Sequence, residues 1–85
     1  MIKLSFADIC ELMENKYIDQ SKGKFTRLDF AMLALYEPEK YDFYVYDFIK
    51  EELEKKTLTK NQAGDYYANT SISDSLSTHK LSRAN

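Results

Sequence analysis

Leu58-Thr59-Lys60-Asn61-Gln62-Ala63 repeats a pattern that the chain carries twice before, in Leu4-Ser5-Phe6-Ala7-Asp8-Ile9 and in Phe25-Thr26-Arg27-Leu28-Asp29-Phe30. Each copy reads apolar, Ser or Thr, two free positions, Asp or Gln, apolar. This is how a helix starts. The hydroxyl accepts an orphan N–H of the first turn, and the side chain three places on reaches back to the N–H of the cap. The flanking apolar pair forms a hydrophobic staple. Three such starts predict helices after Ser5, Thr26 and Thr59. The copies are unequally spaced and their likeness ends with the cap, so they are not units of a tandem array.

The first helix is expected over residues 5–20. Phe6, Ile9, Cys10, Met13 and Tyr17 fall on one face, with Asp8, Glu11, Asn15 and Asp19 opposite, the division of an amphipathic surface helix. Ser21-Lys22-Gly23-Lys24 stops it, with Gly23 able to turn left-handed. The second helix, residues 26–36, is apolar nearly all round: Leu28, Phe30, Ala31, Met32, Leu33, Ala34, Leu35 and Tyr36. A helix with no polar face is expected at the centre of the fold, or else under a partner. Pro38 marks a boundary or a first turn, since it lacks an N–H and restricts Glu37 before it. The third helix is expected from Pro38 or Tyr41 to Lys56. Tyr41, Tyr44, Val45, Phe48 and Ile49 face inward; Asp47, Lys50, Glu51 and Glu54 face outward. Phe43 falls off the inner stripe, and Tyr46 and Leu53 flank it. Residues 59–68 read as a short fourth helix weakened by Gly64. Ser and Thr dominate residues 69–85, which bury little and read as a mobile tail.

The expected fold is therefore all-α: a small bundle of three main helices, a short fourth helix and a Ser/Thr-rich C-terminal tail. One helical domain over residues 1–68 precedes a tail of 69–85. A chain of 85 residues buries only about 60–65% of its unfolded surface, and its 44% apolar content is enough for one core.

Composition narrows the function. The net charge of −2 argues against broad binding to nucleic-acid phosphates. Cys10 is the one cysteine, so there is no internal disulfide and no cysteine-rich zinc site. His79 is far from Cys10 in sequence, and no metal-ligating spacing is present. The two glycines, Gly23 and Gly64, make no phosphate loop. Cys10 lies on an apolar face, Ser77-Thr78-His79 lacks an orienting frame, and the paired carboxylates Asp8/Glu11 and Glu51/Glu52/Glu54 fall on wet faces. None of these makes a catalytic set. No cofactor is implied. No apolar run is long enough to span a membrane. Asp8 and Glu11 interrupt the start that a signal peptide would need, so the expected compartment is the cytoplasm.

The best functional clue is residues 36–48, where six of thirteen residues are aromatic and acids are interleaved. Tyr and Phe are favoured at interaction surfaces. Asp42, Phe43, Tyr46, Asp47 and Glu51 are the candidate partner-binding residues. The expected function is a non-enzymatic protein-binding module, a small regulator or inhibitor. It would dock an acidic aromatic surface on a basic surface of a larger protein, of the kind that receives nucleic acid. A homodimer formed over the apolar second helix is the companion reading. The alternative is a DNA-binding regulator that uses a helix-turn-helix at residues 58–81 with Lys60, Lys80 and Arg83.

Overall fold

A computed structural model describes residues 2–69. The order of elements is β1 (Ile2–Leu4), α1 (Phe6–Ser21), α2 (Arg27–Tyr36), α3 (Pro38–Glu54), β2 (Leu58–Lys60) and β3 (Tyr66–Ala68). The first two caps form as the sequence predicts. Ser5 Oγ accepts the Asp8 N–H at 3.1 Å, and Asp8 accepts the Ser5 N–H at 3.0 Å. Thr26 and Asp29 make the same reciprocal pair at 3.3 and 2.8 Å. The shorter reach of Asp is therefore sufficient at both starts. After α1 the chain turns left-handed at Lys22 (φ 53°) and Gly23 (φ 93°).

The third pattern does something else, and this corrects the all-α, helical-bundle expectation. Residues 58–68 form a β-hairpin, and no fourth helix exists among the described residues. Thr59 pairs with Tyr67 across the hairpin, and Leu58 pairs with Ala68. Thr and Tyr suit a pleated, half-buried surface. Alternation sends Leu58 and Ala68 inward, where they are 2% and 0% exposed. Asn61, a free position in the cap reading, is the residue that turns the chain. Its side chain accepts the Asp65 N–H at 2.9 Å, its N–H donates to the Asp65 carbonyl at 3.0 Å, and its carbonyl accepts the Gly64 N–H at 3.1 Å. Gly64 sits at φ 90°, which a side chain disfavours. β1 joins the other edge of β3, giving an antiparallel three-stranded sheet of order β1-β3-β2. At its end, the Asn69 N–H donates to the Thr57 carbonyl at 2.9 Å. The expected mobile tail otherwise lies outside the described residues.

The sheet packs against α1 and α3. Leu4, Leu58 and Ala68 meet Ile9, Leu12 and Met13 of α1 and Val45 and Phe48 of α3 in one core, together with Phe30 of α2. Two details of the expected faces change. Phe6 stays 64% exposed at the first helical position, and Leu12 joins the buried stripe of α1. Glu52 is 7% exposed, because it continues the inward stripe of Val45 and Phe48 at helical spacing.

The largest correction concerns α2, which is not the enclosed element. Phe30 is its one buried residue; Leu28, Met32, Leu35 and Tyr36 are 50–72% exposed. α2 packs mainly on α3 and, less, on α1, while the sheet packs on α1 and α3.

Gly64→Ala separates the two readings of residues 58–68 by sign. In a helix the change would stabilise by about 1 kcal/mol. In the hairpin no atom lies within 4 Å of the added Cβ, so backbone strain alone applies, a loss of about 1–2 kcal/mol. The urea midpoint is expected to fall; a rise would restore the helix.

Candidate functional site

One residue, Glu37, joins α2 to α3. Its N–H donates to the Leu33 carbonyl at 2.8 Å, closing α2. Its carbonyl accepts from Lys40 and Tyr41 at 3.0 and 3.2 Å, opening α3, with Pro38 at the first helical position. The rotation of α3 then follows from its core side. Val45 and Phe48 are buried, and Tyr41 and Tyr44 pack against Phe30 at centroid distances of 6.4 and 5.5 Å, both edge-on. At about 100° per residue, Phe43 must then point away from the core. It is 67% exposed, and Tyr46, three places on, is 63% exposed.

Glu39 and Asp42 precede Phe43 and Tyr46 at helical spacing and share their face. The four residues line a shallow concavity of about 310 Å³. Neither Glu39 nor Asp42 forms an ion pair among the described residues. The result is two exposed rings beside two uncompensated carboxylates, on a rigid helix.

Three of the five expected residues, Asp42, Phe43 and Tyr46, thus come together. Asp47 is exposed but does not line the concavity. Glu51 is drawn away to the seam between α1 and α3. Lys16 bridges it and Glu52 at 2.9 Å each, and Lys55 reaches Glu51 at 3.0 Å. Hydrogen bonds from Lys16 and then Lys55 pull the Glu51 carboxyl down to about 2. Thr57 donates to Glu52 at 2.7 Å, and the Lys16 ammonium lies 5.6 Å from the centre of the Phe48 ring. These carboxylates therefore close a structural seam, and the wet-face expectation for Glu52 is overturned. Glu39 belongs to the surface although it was not among the expected residues. Its spacing of four from Phe43 was the signal.

A second cluster lies beside α3. Tyr41 donates to Glu14 at 2.6 Å, and Arg27 reaches Glu14 at 3.3 Å and Asn15 at 2.5 Å. Cys10 adjoins Tyr41, and burial pushes its thiol up, which suppresses the thiolate a nucleophile needs. Burial first, and then the bond to Glu14, raises the Tyr41 phenol as well. These groups tie α1 to α2 and α3. Among the described residues no set of three or more His, Cys, Asp or Glu is placed to hold a metal ion, and no helix is long and apolar enough to cross a membrane. His79 lies outside the described residues.

Comparison with protein-family models, with curated proteins and with solved structures finds no match to this chain.

The Lys16 seam makes stability depend on pH. Glu51 has a folded pKa below its ordinary 4.5, so its contribution is complete above that value and fades as pH falls towards 2. Urea midpoints measured from pH 6 to pH 2.5 are expected to drop over the acid range. In Lys16→Met, which keeps the apolar stem but leaves the two carboxylates only Lys55, 3.0 Å from Glu51 and 3.8 Å from Glu52, the acid dependence is reduced. That variant loses about 2 kcal/mol at pH 7.

Proposed function

We propose that this chain is a non-enzymatic protein-binding module, acting in the cytoplasm as a small regulator or inhibitor. It docks the acid-rimmed aromatic face of α3 on a basic surface of a larger protein, such as one that receives nucleic acid. The observation that carries this reading is the pairing of Phe43 and Tyr46, each about two-thirds exposed, with the carboxylates of Glu39 and Asp42, which form no ion pair among the described residues, in one concavity. Aromatic rings offer large contact area at small cost in side-chain entropy. The carboxylates steer the encounter and reject acidic competitors. The helix-turn-helix alternative loses its first helix, because residues 58–68 are a hairpin; its remaining part, residues 71–81, lies outside the described residues.

The test is affinity capture from source-cell lysate with wild type, Phe43→Ala/Tyr46→Ala and Glu39→Lys/Asp42→Lys. Both double variants should keep the wild-type urea midpoint to within about 0.5 kcal/mol, since the changed side chains are at the surface. A partner recovered by wild type is expected to be lost with either variant, and to be released as salt is raised from about 50 to 300 mM. Equal recovery of every partner by all three proteins would sink the assignment.

A further inference from the structure

α2 presents a second surface of a different chemical kind. Leu28, Met32 and Leu35 form its outer ridge at helical spacing, and Tyr36 adjoins them; the four are 68, 50, 70 and 72% exposed. No charged residue lies between Phe30 and Tyr36. A groove of about 570 Å³ flanks the ridge, running from Lys24 and Phe25 past Met32 to Tyr36 and Glu37. The ends of this surface differ in sign. At the N-terminal end Lys22 and Lys24, which form no ion pair among the described residues, outweigh Asp29 beside the Arg27–Glu14 pair; at the C-terminal end Glu39, likewise in no ion pair among the described residues, stands beside the Glu37–Lys40 pair.

We propose that a second copy of this chain covers this face, the two α2 helices packing antiparallel about a two-fold axis. Three observations select that occupant. The ridge is neutral, so a copy of itself meets no like charge along the contact. An antiparallel partner sets the basic end of each copy over the acidic end of the other, and opposes the two helix dipoles favourably. The area also fits. With Ala31, Ala34 and Phe25 at its edges, the face offers roughly 400 Å² of apolar side chain by ordinary residue areas. That is close to the apolar share, about 450–500 Å², of a standard interface of about 800 Å² per partner. The contact is isologous: Leu28 of one copy meets Leu35 of the other, and Ala31 and Met32 lie near the axis.

Sedimentation equilibrium of the full chain from about 1 to 500 µM is expected to show a reversible monomer–dimer equilibrium with a micromolar dissociation constant. Leu28→Glu/Leu35→Glu opposes like charges at both ends of the ridge. It is expected to weaken the dimer at least about 100-fold with an unchanged helical circular dichroism spectrum, because both side chains are exposed in the single copy. Orientation is read by disulfide formation in a Cys10→Ser background. Ala31→Cys should cross-link to itself, whereas Leu28→Cys and Leu35→Cys should cross-link only when mixed. A monomer at every concentration, a dimer that survives the double Glu variant, or self-cross-linking of Leu28→Cys alone would each overturn the proposal.

Discussion

Phe30 is the side chain through which α2 holds to the rest of the molecule. Solvent does not reach it, and Tyr17, Phe25, Tyr41 and Tyr44 stand around it at centroid distances of 5.5 to 6.5 Å. Two of these rings belong to α3, so the same cluster that anchors α2 also sets the rotation of α3. Tyr41 and Tyr44 facing Phe30 leave Phe43 facing water. Both exposed surfaces follow from this. A ten-residue helix held along one edge keeps its other side bare, and the longer helix beside it turns its surplus aromatics outward.

The remainder of the core is closed by elements distant in sequence. β1 and β3 bring the start of the described chain against its end, and the hairpin places Leu58 and Ala68 under α1 and α3. The seam between those helices is sealed at its edge by Lys16, held by Glu51 and Glu52 while its stem lies near Phe48. Burying Glu52 is tolerable because Lys16 and Thr57 satisfy both carboxylate oxygens; a buried charge without such partners is costly.

The two outward faces suit different occupants. The α3 face couples rings to the carboxylates of Glu39 and Asp42, and we assign it to a basic partner. The α2 face is neutral along its length and charged with opposite sign at its ends, and we assign it to its own copy. Charge pattern divides the roles, since both faces are rich in apolar surface. The two contacts use largely separate residues, with Glu39 at the corner between them.

Sequence alone determined the first two helix starts, the end of α1 at Lys22 and Gly23, the break at Pro38 and the inward stripe of α3. It also placed Phe43 off that stripe. These are local matters, settled by hydrogen bonds and spacings within a few residues. Only the tertiary structure decided that Leu58-Thr59-Lys60 is a strand. A Thr followed by Gln three places on satisfies a helix cap, but the same residues pair as well with Tyr66-Tyr67-Ala68 once Asn61 and Gly64 turn the chain and β1 supplies a second edge partner. Which of the two expectations for α2 holds, the burial of Glu52 and the diversion of Glu51 to Lys16 were likewise illegible. Each depends on which element packs opposite, and no helical wheel carries that information. Periodicity shows which residues share a side; burial depends on whether another part of the chain arrives to cover it.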